Sequence, residues 1–217
     1  ALQKLTELFK ESLGFCPNPN INLAVHYWRQ QANRQIPPSL RQNESLAFQK
    51  DAFDRLALKF HLTFGNWRLE GLTSIMSESL DYHDPQIRLN SLSNIRSQTA
   101  RLLMRRKWSI ISTRFGAEIR NHKAHSNNYS NNLAKQNYSS LFSQIGFNFT
   151  AVDVVLSLRQ GFFNGSIIPI MPALDANYKV NPVFDIHVSA GKLYRIPSLN
   201  ELFWIPGGNS TLIPEEG

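Results

Sequence analysis

The run Phe53-Asp-Arg-Leu-Ala-Leu-Lys-Phe-His-Leu-Thr-Phe64 places apolar and polar residues at alternate positions. One parity holds Leu56, Leu58, Phe60, Leu62 and Phe64. The other holds Arg55, Ala57, Lys59, His61 and Thr63. A β-strand points successive side chains to opposite faces, so this stretch has one apolar wall and one wet wall.

The same pattern recurs along the chain. In 108–120, Ile111, Phe115, Ala117 and Ile119 oppose Ser112, Arg114, Gly116, Glu118 and Arg120. In 138–150, Leu141, Ile145, Phe147 and Phe149 oppose Ser140, Gln144, Gly146 and Asn148. Residues 152–162 set Val152, Val154, Leu156, Leu158 and Phe162 against Asp153, Ser157, Arg159 and Gly161, and 182–195 set Phe184, Ile186, Val188 and Ala190 against Asp185, His187, Ser189, Gly191 and Arg195. These segments reach or exceed the roughly 9–11 residues of a membrane-spanning strand, against roughly 5–6 for a soluble one. Their wet parity mixes small residues, glycine and charges, as a polar lumen does.

Connections carry a second pattern. Short links are expected at 65–66, 104–107, 150–153 and 180–182. Longer polar ones are expected at 35–45, 81–90 and 121–137, with a shorter one at 164–167 and a tail after Arg195. Short turns alternating with long loops belong to up-and-down barrels. The expected fold is therefore all-β, an antiparallel up-and-down transmembrane β-barrel segment of about nine strands. They cover 20–34, 46–64, 67–80, 91–103, 108–120, 138–149, 153–163, 168–179 and 183–195, with mixed parity in 67–80 and 91–103. Tyr27, Trp28, Trp67, Tyr82, Trp108, Tyr138, Tyr178 and Tyr194 lie near strand ends, where an interfacial aromatic girdle would sit. In 2–13, Leu2, Leu5, Leu8, Phe9 and Leu13 recur at helical spacing, which fits a short N-terminal helix as well as a strand; both stay open.

Composition narrows the function classes. The net charge of +7 is spread out, and its densest run, Arg105-Arg106-Lys107, reads as a solvated turn. No recognition helix or aromatic-basic interleaving surrounds it, so nucleic acid is not an expected partner. The single Cys16 excludes a disulfide framework and a cysteine metal site. No apolar stretch approaches the roughly 20 residues of a membrane helix, which leaves strands as the way across. The Gly-x-Ser-x-Gly, His-Glu-x-x-His and P-loop motifs are absent, so an enzyme is not expected, nor a cofactor. His122 and His125 fall in an Asn/Ser-rich stretch with no third ligand nearby and read as solvated histidines.

Two stretches carry a family resemblance. The first is Arg195-Ile-Pro-Ser-Leu-Asn-Glu-Leu-Phe-Trp204, continuing through Gly207-Gly208-Asn209 to Pro214-Glu215. It resembles the signature of TonB-dependent outer-membrane receptors, in which Arg-x-Pro-Ser/Thr-x-x-Glu/Asp-Leu leads into Gly-Gly-Asn-x-x-Leu-x-Pro-Glu. The second is His26-Tyr-Trp-Arg-Gln-Gln-Ala-Asn-Arg-Gln-Ile-Pro-Pro38, continuing into Ser45-Leu-Ala-Phe-Gln-Lys-Asp51. It is similar to a strand and its following loop in cobalamin- and siderophore-type receptors. Ser157-Leu-Arg-Gln160 and the later strands match the family in spacing. Ser210, Thr211 and Ile213 depart from the family pattern, which often has Pro, Asp or Lys there, and this weakens any reading of the ligand.

The motif residues carried over are Arg34, Ile36, Pro37, Pro38, Arg195, Pro197, Ser198, Glu201, Leu202, Gly207, Gly208, Asn209, Pro214 and Glu215. Their own chemistry points to loop shaping. Pro197 and Pro206 remove ladder donors, the Gly-Gly-Asn run accepts positive φ, and Glu201 is within sequence reach of Arg195. Arg120 and Arg159, on the wet parity near the expected outer loops, are the candidates for ligand contact. The resemblance implies a barrel of about 22 strands around a plug. It also implies an iron–siderophore or cobalamin-like ligand, outer-membrane lipid around the wall, and a TonB-ExbB-ExbD partner reached through an N-terminal box. Residues 1–217 are expected to be part of the barrel domain, with plug and closing strands outside them. The competing readings are a passive porin and a soluble all-β binding module.

Overall fold

A computed structural model describes residues 3–37 and 45–217. The strands are β1 (Gln3–Asn18), β2 (Ile21–Gln35), β3 (Phe48–Phe64), β4 (Trp67–Asp84), β5 (Leu89–Trp108), β6 (Ile111–Ser126), β7 (Leu133–Asn148), β8 (Val152–Phe163), β9 (Ser166–Ile167), β10 (Met171–Lys179) and β11 (Asp185–Gly191). They form one 11-stranded sheet in sequence order, with β9 a side branch on β8. Every pairing is antiparallel, and the sheet does not close on itself. Beyond it, β12 (Tyr194–Arg195) pairs with β13 (Glu215–Glu216), flanking a one-turn helix α1 (Leu199–Phe203).

The alternation is what the sheet uses. Partners that face each other share a side, so register carries the apolar parity of β3 across the whole sheet. Leu58 faces Val25 and Thr73, Ala100 faces Thr73 and Ile119, and Leu156 faces Ile145 and Leu174. On this side Leu56, Leu102, Ile119, Leu141, Leu156 and Val188 all stand 45% exposed or more. A soluble sheet would bury such a wall; here it has a limited height. Along β3 the band runs from Phe64 to Leu56, along β4 from Trp67 to Ile75, and along β6 from Ile111 to Ile119. That is the roughly 9–11 residues needed to cross hydrocarbon. One rung beyond Leu56 and Ile75, and two beyond Ile119, the same side holds Arg29, Asp54, Ser77, Arg96, Lys123 and Lys135.

The strands outrun that band, and this changes the expected boundaries. β5 has 20 residues and β4 has 18. The expected loop 81–90 shrinks to 85–88, and 121–137 shrinks to 127–132. Asn- and Ser-rich sequence reads as loop by hydropathy, yet an antiparallel ladder continues into water when cross-strand polar pairs satisfy it. Ser93 Oγ donates to Ser126 Oγ at 2.8 Å, and Ser97 Oγ meets His122 Nδ1 at 2.7 Å. The expected turn at 104–107 is also strand; the turn falls at 109–110, after Trp108. The helix left open for 2–13 does not form among the described residues: from Gln3 onward they belong to β1, which adds a strand in front of the nine expected and runs on to Asn18. Its partner β2 supplies a ladder for those backbone groups, interrupted within 3–13 by a register shift between Leu5 and Glu7, and that outweighs a weak helical spacing.

The connections 19–20, 65–66, 109–110, 149–151 and 180–184 lie at one end. The opposite, outer end carries the ends of β2 and β3 at Gln35 and Phe48, the short connection 85–88, then 127–132, 164–170 and the long segment after β11.

Candidate functional site

The wet wall is rich in cations. Arg55, Lys59, Arg101, Arg105, Arg114, Arg120 and Arg159 share it with Glu70 and Glu118. Near the turn end Arg68, Arg105 and Arg114 stand abreast on three adjacent strands, and Arg105 donates to Glu70 at 3.1 Å. Toward the outer end Arg55 lies over the rings of Trp28 at 4.6 Å and Phe53 at 5.2 Å. Arg120 pairs with Glu118 at 2.6 Å and covers the Tyr138 ring at 4.7 Å. Arg159 covers the Phe142 ring at 5.0 Å. Phe142 in turn lies across Gly116, where a Cβ would come within 2.3 Å of its ring, so that glycine is what lets the stack form.

The structure places Arg120 and Arg159 on the same wall but not side by side. Arg120 is level with Tyr138 and Arg159 with Phe142, four residues along β7. That is about 13 Å at a strand rise near 3.3 Å per residue. His122 and His125, three residues apart in β6, face opposite sides. Among the described residues no group of His, Cys, Asp or Glu could hold a metal.

The expected girdle divides the same way. Trp67, Trp108, Tyr27 and Tyr178 are on the apolar wall, whereas Trp28, Tyr82 and Tyr138 are on the wet wall and Tyr194 lies in β12. At the turn end Arg106 lies between Trp67 and Trp108, 4.9 and 4.4 Å from their rings. The basic run thus stays in the ladder: Arg105 and Lys107 face the lumen and Arg106 the aromatic rim.

The C-terminal motif builds a clasp over the wet wall at the outer end. Ser198 caps α1, receiving the Glu201 amide at 3.3 Å, while its own amide donates to Glu201 Oε2 at 2.7 Å. Arg195 joins the two ends of the segment: Nη1 donates to both Glu201 oxygens at 2.9 and 3.1 Å, and Nε and Nη2 bind Glu215 at 2.9 Å each. These bonds raise the Arg195 guanidinium above its ordinary range. The Ser198 amide first and Arg195 next hold Glu201 below the usual carboxylate range, and Arg195 does the same for Glu215. Tyr194 donates to Glu216 at 2.8 Å, and Lys192 pairs with the same carboxylate.

The clasp is anchored as well as closed. Leu202 is buried, and Phe203 and Trp204 pack against Tyr129, whose hydroxyl donates to Asn200 at 2.7 Å. Burial raises the Tyr129 phenol above its ordinary value. Ala124 and Ala134, small and buried on the wet wall, leave the room these rings occupy. Gln136 donates to the Pro197 carbonyl at 2.7 Å. Gly207 has φ +114°, and a Cβ on Gly208 would meet the Trp204 backbone at 2.5 Å, so the chain reverses there only with glycine. The Asn209 amide donates to Glu201 O at 2.8 Å. Pro197 and Pro214 bracket this loop in sequence.

The second motif is simpler. Arg34 pairs with Asp51 at 3.3 Å, and Ile36 N donates to Ala47 O at 2.9 Å, so β2 and the start of β3 stay joined past the sheet. Pro37 is exposed and Pro38 lies outside the described residues. Sequence reasoning placed Arg55 on the wet face and Trp28 in the girdle without pairing them, and did not single out Tyr129. The signal for the first two was available, since Trp28 and Arg55 face each other once β2 and β3 are paired.

Comparison with known proteins follows the geometry. The TonB dependent receptor-like, β-barrel family matches residues 12–217. No curated protein sequence matches the chain. Among solved structures it is similar to the siderophore receptor PirA from Pseudomonas aeruginosa, with TM-score 0.76 and 10% identity over 90% of this chain and 34% of that one. It is also similar to the alcaligin outer membrane receptor FauA from Bordetella pertussis, with TM-score 0.70 and 12% identity over 87% and 35%. The ferric yersiniabactin uptake receptor FyuA from Yersinia pestis gives TM-score 0.70 and 10% identity over 88% and 39%. At such identities the likeness concerns the fold, and the chain spans about a third of each of these structures.

Proposed function

The chain belongs to the TonB-dependent receptor family, within its β-barrel, and on that premise we propose that it is part of the wall of an outer-membrane receptor importing an iron–siderophore complex. One observation carries the reading. The sheet has a nine-residue apolar band on one side, from Phe64 to Leu56 in β3, and a cation-lined wall on the other. That combination suits lipid outside and an anionic cargo or partner inside. The solved neighbours named above are siderophore receptors, which favours a ferric siderophore over a cobalamin-like ligand. Energy would come through the TonB-ExbB-ExbD system.

On this reading the outer end faces the medium. Arg120, Arg159 and the Arg55–Trp28 pair line the path below the clasp, offering cations already held in place by aromatic rings. The motif residues from Arg195 to Glu215 act by shaping the loop, because Arg195, Glu201 and Glu215 satisfy one another.

The test is uptake of radiolabelled ferric siderophore by cells carrying the full-length receptor, with and without TonB. Loss of uptake without TonB is expected; uptake that persists would point to a passive porin. A full-length protein that stays monodisperse without detergent and outside the outer-membrane fraction would defeat the membrane reading altogether. In the intact receptor, Arg120→Glu with Arg159→Glu should weaken ligand capture, and unchanged affinity would remove these two from the site.

A further inference from the structure

On the wet wall, successive rungs each carry a cation. From the outer end along β7, Arg55 stands level with Gln136, Arg120 with Tyr138, Arg101 with Ser140 and Arg159 with Phe142. The rung level with Gln144 holds three, Arg68, Arg105 and Arg114 on adjacent strands, and the rung level with Gly146 holds Lys107. Each step is two residues, about 7 Å. That is inside the Debye length of about 8 Å at physiological salt, so the potential of one cation overlaps the next. From the Gln136 rung to the Gln144 rung the described residues of this wall include two carboxylates, and both are taken. Arg120 holds Glu118 at 2.6 Å and Arg105 holds Glu70 at 3.1 Å.

The row ends at the turn end in a cleft of about 480 Å³, lined by Arg68, Arg105, Lys107 and Arg114 with Ser112 and Gln144. Arg105 is committed to Glu70. Arg68, Lys107 and Arg114 form no ion pair among the described residues. Asp175, the carboxylate on the last rung, is four strands away from Lys107 and accepts from Ser189 at 2.7 Å. Gly146 keeps the floor of the cleft open, since a Cβ there would meet Ser112 Oγ at 2.5 Å.

Cations this close repel one another unless an anion sits among them. We propose that the cleft is a release site for the imported complex, binding a compact oxyanion of two or more charges after that anion has passed down the row. Arg68 and Arg114 flank Arg105 about 10 Å apart, two strand spacings, with Lys107 one rung further on. Guanidinium forks suit carboxylate and phenolate oxygens, and Ser112 and Gln144 add neutral donors beside them. A singly charged anion would relieve one cation and leave the others repelling, which is why the cleft selects a polyanion. The proposal rests on the import reading above and adds to it a second binding site, at the far end of the lumen from Arg120.

The test is calorimetric titration of the full-length receptor in detergent, with tricarballylate, a tricarboxylate, as probe and acetate as comparison. The parent should bind tricarballylate at low salt and more weakly as salt rises. R68Q with R114Q should weaken binding about fiftyfold, and K107Q alone about threefold. R68K with R114K keeps the charges without the forks and should fall between parent and glutamine variant. Arg105 is left in place so that Glu70 keeps its partner, and heat-modifiable migration checks that each barrel is intact. K123Q, on the apolar side, should change nothing. Equal tricarballylate binding by the parent and by R68Q with R114Q overturns the site, as does acetate binding as tight as that of tricarballylate. A parent that binds no tricarballylate overturns it too, and means that an acidic segment of the same polypeptide fills the cleft. Uptake of ferric siderophore that persists without TonB overturns the import reading instead, and the two failures are told apart because titration and uptake are read separately.

Discussion

The band and the clasp solve opposite problems with the same chain. In the band, from the Trp67 and Trp108 rungs to Ile75 and Ile119, large apolar side chains point outward and stay exposed. Their favourable environment is hydrocarbon, and order comes from a backbone ladder in which each residue has a partner on both sides. In the clasp, from Tyr194 to Glu216, the ladder is two residues long and a small buried cluster replaces it, helped by one arginine shared between two carboxylates. On the proposed membrane reading, the first depends on its solvent being lipid. The second depends on specific side chains in water.

The comparison breaks most sharply with a charge in the band. Leu141→Arg puts a cation on the apolar wall beside Ala117, at mid-height, and should destabilise the intact barrel by about 2–4 kcal/mol. Urea unfolding of the full-length protein in liposomes measures it; an unshifted midpoint would mean that this face does not meet lipid. The same substitution should leave the clasp unaltered.

In the clasp the largest effect should come from its core. Leu202→Ala removes a buried side chain and should loosen the loop by about 2 kcal/mol, read as faster amide exchange at Trp204 with the strands unchanged. Gly208→Ala should act the same way through backbone collision with Trp204, and exchange at the wild-type rate would show that the turn relaxes freely.

The charge network should have a smaller, pH-dependent effect. Glu201 and Glu215 sit below their unfolded values, so their contribution is complete above the ordinary glutamate pKa near 4.3 and is lost as pH falls through the lowered values. Acid should therefore release the clasp while the band persists. Trp204 fluorescence, read against Trp204→Phe, follows the release, and Arg195→Gln should move it toward neutral pH. A Trp204 signal flat down to the acid limit would show that the apolar anchor alone holds the loop.

How much was legible follows from the same contrast. Alternation in Phe53–Phe64 and its repeats identified strands and faces because side-chain direction in a strand is local. Strand ends were not legible. Arg105-Arg106-Lys107 resembles a turn by charge, yet remains in β5 because Trp67 and Glu70, distant in sequence, together with the neighbouring Trp108, receive two of its three cations. The outer ends of β4 to β7 were hidden for a related reason: serine and asparagine are loop residues unless a neighbouring strand supplies their partners, as Ser93 and Ser126 do for each other. The first strand, too, needed its neighbour, since β1 acquires its ladder only from β2.

By itself, then, the sequence determined the period of two, the apolar and wet walls, the positions where glycine and proline turn the chain, and the motif that marks the family. Each of these is set within a few residues by steric rules and side-chain direction. Only the tertiary structure decided register. Register put Trp28 against Arg55, Gly116 beneath Phe142, Tyr129 beneath α1, and Arg96, Lys123 and Lys135 in one row. These are contacts across strands, and their geometry is fixed by hydrogen bonds between segments that the local pattern cannot align.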